Sequence, residues 1–269
     1  MTPVCYGCGV KNPDLKREFA WLLGEKYQGV ESTEFNADVA RLEAGEPLAY
    51  VIGQVPFLDC AIYLDSRPLI PRPETEYWVE EVISAIHTQQ TNLRDSIPKI
   101  LDLCAGSGAI GVALAKAVPE AHIAFSEIDP AHLATIEKNL AANTTIHSSE
   151  KYQLVCGDLF RGIEKDRVFD FILTNPPYVD KAADTVDTAV TLHEPHLALF
   201  GGLAGMEIIT KIILEAPQYL NQGGQLWIEH EPFQSEAILT LSQEAGYATA
   251  ITHADQYSVS RFSVLTMAQ

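Results

Sequence analysis

The string Asn175-Pro176-Pro177-Tyr178 combines residue types suited to holding a nitrogen for reaction. An asparagine side-chain carbonyl accepts a hydrogen bond from an amide or amino NH2, and the Pro176 backbone carbonyl offers a second acceptor beside it. Two prolines stiffen the loop and reduce the entropy of ordering it, while the Tyr178 ring can pack against a planar acceptor. Carbonyls that grip an NH2 group can aim its nitrogen at an electrophilic methyl carbon. The implied reaction is direct methyl transfer to nitrogen, promoted by alignment and field without a covalent nucleophile. A neutral amide nitrogen is a poor nucleophile because its lone pair is delocalised. Contacts that stabilise its developing positive charge therefore have a clear physical purpose.

A second group of residues suits a nucleoside. LDLCAGSGAIG at 101–111 places Cys104, Ala105, Gly106, Ser107 and Gly108 at a strand-to-helix turn. There the missing side chains of Gly106 and Gly108 allow a ligand to approach the backbone closely. Glu127 lies about twenty residues further on, at the end of the next strand, where an acid accepts hydrogen bonds from ribose hydroxyls. Asp158 follows a third strand and is placed for the base or amino end of the same ligand. The turn departs from the register of the dinucleotide fingerprint and lacks the GKS or GKT ending of a P-loop. S-adenosyl-L-methionine therefore fits this set better than NAD or ATP.

Charge narrows the acceptor. The chain has 269 residues, with 36 Asp and Glu against 18 Lys and Arg, a net charge of −18. Phosphate binding draws on clustered Lys and Arg, so no stable nucleic-acid binding is expected. A DNA adenine-N6 methyltransferase is the nearest chemical rival, because a flipped adenine presents an exocyclic NH2. Residues 183–269 carry only Lys211 and Arg261 against ten acids, which favours a protein acceptor with a basic docking face. Cys5 and Cys8 form a lone CxxC pair without a second pair at ligand spacing, so no metal is expected. No apolar run reaches membrane-spanning length, and the N-terminus shows no basic segment followed by an apolar one. The expectation is a cytoplasmic monomer with no membrane contact.

The elements that must position these residues follow from hydrophobic periodicity. Helices are predicted at 15–27 and 35–45, then a short strand pair or extended bridge over 47–65. The proline-rich IPRPETE at 70–76 leads into a helix at 77–87. Strands at 99–104, 122–127, 152–157, 169–175 and 223–231 then alternate with helices at 107–118, 130–143, 205–220 and 234–245. Stretches at 247–253 and 259–266 suggest a terminal antiparallel hairpin. The pattern predicts an α/β fold with a mostly parallel sheet and right-handed crossovers. A Rossmann-like, S-adenosylmethionine-dependent methyltransferase domain is expected over 77–269. A short helical substrate-recognition domain over 1–45 and a hairpin or extended linker over 46–76 precede it.

From about residue 43 onward, EAGEPLAYVIGQ, LIPRPETE, LDLCAGSGAIG, NPPYVD and HEPHLALFGGLAGME together resemble the HemK/PrmC family. These are protein-(glutamine-N5) methyltransferases that modify peptide chain release factors. The resemblance implies S-adenosyl-L-methionine at Cys104 through Gly108, with Glu127 at the ribose, Asp158 and Leu159 on the adenine side, and Asn175 also touching the cofactor. It implies that Asn175 through Tyr178 hold the glutamine of a release factor's GGQ peptide. Arg72, Pro73, Glu74 and Thr75 are expected to close the cofactor end or to join the helical front to the catalytic sheet. Glu194 and Pro195 are expected to order the loop near the acceptor, and His230 to pack. A ribosomal-protein glutamine methyltransferase would use the same machinery. The sequence departs from the family where Cys104 and Ala105 replace Gly and Thr, Glu127 replaces Asp, and Glu231 replaces Gly.

Overall fold

A computed structural model describes residues 15–92, 97–145, 151–182 and 188–269; Cys5 and Cys8 lie outside these residues. The first three helices are α1 (Leu15–Glu25), α2 (Thr33–Glu43) and α3 (Leu48–Ile52). They share a small apolar core of Leu22, Phe35, Leu42, Leu48 and Val51. Ser32 caps α2 by accepting from the Phe35 N–H, satisfying one of the amides left over at a helix start. Helix α3 corrects the extended reading of 47–65. Five residues are too short for a period to register, but Pro47 precedes them and Gly53 ends them in the left-handed conformation. Burial of Ala49, Tyr50 and Val51 makes the turn worth forming.

An antiparallel hairpin follows, β1 (Gln54–Phe57) with β2 (Cys60–Tyr63). Val55, Phe57, Cys60 and Ile62 face the main core. The hairpin is followed by α4 (Pro73–Asn92), which begins four residues before its expected start because IPRPETE itself supplies the first turn. Proline is well suited there, since its missing N–H has no helical partner at that position.

The main sheet comprises β3 (Lys99–Leu103), β4 (His122–Glu127), β5 (Tyr152–Cys156), β6 (Phe169–Thr174), β7 (Leu220–Glu229), β8 (Thr249–Ala254) and β9 (Ser260–Thr266). Its order is β5-β4-β3-β6-β7-β9-β8, parallel through β7 and antiparallel at β9 and β8. The expected terminal hairpin is thus the sheet's edge. Helices α5 (Ala109–Ala117) and α6 (Pro130–Asn143) follow β3 and β4. Asn139 and Asn143 of α6 accept from the Tyr63 and Ala61 N–H groups, both at 2.8 Å, and tie the hairpin down.

Two short helices after β6 have no counterpart in the periodicity, α7 (Thr188–His193) and α8 (His196–Leu199). They are followed by α9 (Met206–Glu215) and α10 (Ser235–Glu244). Helix α9 ends earlier than expected because Pro217 turns the chain into a 3-10 segment over 216–218.

Ile100, Leu101, Leu103, Ile172 and Leu173 are fully buried, as central strands covered on both faces require. At Gly111 a Cβ would lie 2.2 Å from the Phe125 ring, so the glycine is what lets α5 lie against β4. Strand order reverses at β3, which pairs with β4 on one side and β6 on the other. Open α/β sheets bind ligands at the carboxyl ends of the strands beside such a reversal.

Candidate active site

At those strand ends the turns after β3, β4, β5 and β6 line one cleft of about 840 Å3 of free space, open mouth included. Cys104, Gly106, Glu127, Asp158, Leu159, Asn175 and Pro177 all face it. Ala105, Ser107 and Gly108 shape the turn from behind. The Ala105 N–H donates to the Ser126 carbonyl at 3.1 Å, and the Ser107 carbonyl accepts from Asn139 Nδ2 at 2.9 Å. Gly108 opens α5 at φ +76°, with Ile136 3.0 Å from where a Cβ would stand.

Glu127 clamps two of the turns together. Its Oε2 accepts from the Gly106 N–H at 2.7 Å and its Oε1 from the Asp129 N–H at 2.9 Å. Each oxygen keeps a lone pair for a ligand hydroxyl. Cys104 stands in the left-handed region at φ +60° and is a free thiol. Burial, with the Glu127 charge next in importance, pushes its pKa up to about 12. The side chain therefore stays a neutral thiol, as a residue beside an alkylating ligand must if it is not to be alkylated itself.

The walls suit a nucleoside with a charged tail. Glu127 and Asp158 supply carboxylates, while Leu69, Ile128 and Leu159 supply apolar surface. Gly106 and Gly157 leave bare backbone between them. At Gly157 a Cβ would lie 1.8 Å from the Arg161 carbonyl oxygen, so no side chain fits there. Apolar walls with a few convergent polar groups are what such ligands require. The residues present fit S-adenosyl-L-methionine.

Behind the loop of residues 175–178 lies a buried hydrogen-bond network absent from the sequence reading. Glu229, at the end of β7, is 1% exposed. Its Oε2 accepts from Thr75 Oγ1 and from Trp78 Nε1, both at 2.7 Å, and its Oε1 accepts from the Tyr178 hydroxyl at 3.0 Å. Asn175 Nδ2 in turn donates to Thr75 Oγ1 at 3.1 Å. Burial drives the Glu229 pKa upward, against the pull of these three donors. It also drives the Tyr178 hydroxyl well above its usual value, with the neighbouring Glu229 charge adding to the effect. Tyr178 is half-buried with its hydroxyl turned inward, and it does not line the cleft; Pro176 is buried.

None of Arg72, Pro73, Glu74 and Thr75 lines the cleft, although Leu69 just before them does. Arg72 Nη2 meets Glu194 Oε1 at 2.5 Å, and the Ile70 N–H donates to Glu194 Oε2 at 3.0 Å. The Tyr50 hydroxyl of α3 donates to the Pro68 carbonyl at 2.7 Å. The chain is thus fastened to the helical front at Pro68, just ahead of IPRPETE, and IPRPETE itself to Glu194 through Ile70 and Arg72. Pro73 and Glu74 form the first turn of α4. Pro195 reaches the cleft. His230 is fully buried, its ring nitrogens 2.9 Å from the Glu231 carbonyl and 2.8 Å from Ser263 Oγ.

Among the described residues no helix is long and apolar enough to cross a membrane, and no group of three or more His, Cys, Asp or Glu is arranged to hold a metal ion.

This sheet and this cleft define a Rossmann-like S-adenosylmethionine-dependent methyltransferase. A family model described as the methyltransferase small domain matches residues 85–197. The N-terminal domain of human METTL16 in complex with SAH superposes with a TM-score of 0.55 at 17% identity, covering 96% of this chain and 95% of that one. A methyltransferase from Pyrococcus furiosus gives 0.54 at 16% identity, covering 88% of this chain and all of the other. These likenesses concern the fold.

Sequence relatives go further. A release factor glutamine methyltransferase of Rhodopirellula baltica is 37% identical over 79% of this chain and 70% of its own length. One from Leptospira interrogans is 35% identical over 92% and 83%, and one from Bordetella pertussis 32% identical over 93% and 89%. The chain belongs to the release factor glutamine methyltransferase family.

Proposed function

We propose that this enzyme methylates the side-chain amide nitrogen of a glutamine in a peptide chain release factor, gripping that amide with Asn175 and the Pro176 carbonyl. The observation that carries the reading is the state of Asn175. Its Nδ2 is committed to Thr75, while its Oδ1 meets no donor among the described residues, which leaves an acceptor oxygen on a residue that lines the cleft. When bound in the cleft, S-adenosyl-L-methionine supplies the electrophilic methyl group. The chain's own groups do the rest. Glu127, Asp158 and Leu159 hold the nucleoside, while Asn175 and Pro176 present acceptor oxygens to the amide hydrogens. Fixed dipoles of this kind stabilise positive charge developing on the nitrogen at no cost in reorganisation. The prolines keep the two carbonyls rigid, so little entropy is lost when the amide docks.

We read the acceptor as a protein, supported by the net charge of −18 and by the relatives' shared name. We further read the enzyme as a monomer working in the cytoplasm without stable nucleic-acid binding, and the short helical front as part of the acceptor's docking surface. The test is incubation with methyl-labelled S-adenosyl-L-methionine and, separately, a release factor, total ribosomal protein and duplex DNA. Label on a release-factor glutamine is the expected result. Label on a ribosomal-protein glutamine or on adenine would replace that acceptor with the one labelled.

The same cleft gives a donor-side expectation. Glu127→Ala should raise the dissociation constant for S-adenosyl-L-methionine by about tenfold or more. A charge-assisted hydrogen bond to a ribose hydroxyl contributes about 1.5–3 kcal/mol, and the variant also unclamps Gly106 from the turn after β4. Calorimetric titration checks it, and an unchanged dissociation constant would remove Glu127 from the donor site.

A further inference from the structure

We propose that Thr75, anchored by Glu229, is a positioning residue that locks the Asn175 carboxamide in the one flip that turns its carbonyl oxygen toward the acceptor nitrogen. The proposal rests on the reading that Asn175 receives the acceptor amide.

An asparagine amide has two flips of nearly the same shape, one presenting oxygen and the other NH2 to a given neighbour. Only the first suits an acceptor that itself brings N–H groups. A bare Asn175 would be free to adopt the wrong one. The surrounding side chains remove that freedom by the direction of their hydrogen bonds. Trp78 Nε1 is a donor only, so the Glu229 Oε2 it meets at 2.7 Å acts as an acceptor. Thr75 Oγ1 gives its single proton to the same oxygen at 2.7 Å. With that proton committed, Oγ1 can only accept from Asn175, so the atom 3.1 Å away must be Nδ2. The opposite flip would set two oxygens face to face. Asn175 Oδ1 is thereby fixed on the far side of the amide from Thr75.

Glu229 holds the other end of the tetrapeptide as well, through the Tyr178 hydroxyl at 3.0 Å. One buried carboxylate at the tip of β7 therefore secures both Asn175 and Tyr178. Thr75 and Trp78 come from the first two turns of α4, a hundred or so residues upstream, so packing of α4 against the end of β7 completes the grip.

The test compares Thr75→Val and Thr75→Ser in the full-length enzyme. Valine keeps the shape of a side chain that is 4% exposed and deletes only the hydroxyl, whereas serine keeps the hydroxyl. Thr75→Val should lower kcat by about 10- to 30-fold, the size of one lost hydrogen bond. Acceptor KM and donor dissociation constant should stay within about threefold, and Thr75→Ser should retain kcat within the same margin. In an Asn175→Ala background, Thr75→Val should add no more than about twofold, because a residue acting through Asn175 has nothing left to act on.

An unchanged kcat in Thr75→Val would overturn the proposal. So would an equal loss in Thr75→Ser, or the same fold-loss in the Asn175→Ala background. Wild-type enzyme that labels some other amide or amino acceptor would overturn the release-factor reading alone, and the Thr75 comparison would then be made on that acceptor.

Discussion

Asn175→Ala is expected to lower kcat by about 100- to 1000-fold while the dissociation constant for S-adenosyl-L-methionine stays within about threefold. The loss is large because the acceptor nitrogen is intrinsically unreactive. Its lone pair is shared with the carbonyl until the transition state, when positive charge collects on the nitrogen and its hydrogens. An oxygen aimed at those hydrogens gains strength as the charge develops, and such a gain enters kcat rather than ground-state binding. Alanine removes that oxygen and leaves the glycine turn, Glu127 and Asp158 untouched. Single-turnover rates at saturating donor and acceptor, set beside a donor titration, separate the two effects. Unchanged turnover would remove Asn175 from the acceptor site. A collapse of donor affinity to match the rate would make it a cofactor residue instead.

The parts of this site that follow a strand end are legible in the sequence because their signals are local. LDLCAGSGAIG gathers bare backbone, and NPPY gathers carbonyls and rings, within a few residues of one another, and Glu127 lies one crossover away. Trp78 and Glu229 escape the same reading, and Thr75 is singled out only as part of a closing or joining segment, for a physical reason: the three meet only when α4 packs against β7, and hydrogen bonds such as Thr75–Glu229 bridge 154 positions of sequence. One trace was present. Glu229 ends the run Leu226-Trp227-Ile228, and an acid closing an apolar strand at the ligand-binding edge of a sheet needs buried donors to be tolerated there. The fold shows a similar division. Long alternating elements such as β3 through α6 announce themselves by period, whereas α3, α7 and α8 have at most six residues, too few for a period to register.

Gly205→Ala is expected to cost about 100-fold in kcat, although Gly205 touches neither donor nor acceptor. The segment 200–206 runs directly along the loop of residues 175–178. Val179 N–H donates to the Leu199 carbonyl at 2.9 Å and Gly201 N–H to the Val179 carbonyl at 3.0 Å. Gln234 Nε2 then binds the Tyr178 and Ala204 carbonyls together, each at 2.9 Å. So close an approach leaves no room for side chains. A Cβ at Gly205 would lie 1.8 Å from the Tyr178 carbonyl oxygen and 2.6 Å from Gln234 Nε2. One at Gly201 would lie 2.3 Å from the Pro177 carbonyl oxygen. The obstacle at Gly205 is chiefly backbone, so the loop of residues 175–178 must move by an ångström or more, and a misplacement of that size in a loop that holds a substrate costs about two orders of magnitude in rate. Part of any effect is conformational, because Gly205 sits at φ +67°, where alanine is strained. Gly246→Ala isolates that part: Gly246 stands at φ +86° with nothing within 4 Å of its missing Cβ. Gly205→Ala should lose more thermal stability than Gly246→Ala, which carries the backbone strain alone, and only Gly205→Ala should lose turnover. Equal kcat losses in the two variants, measured beside their melting temperatures, would trace the effect to backbone strain rather than to displacement of the loop.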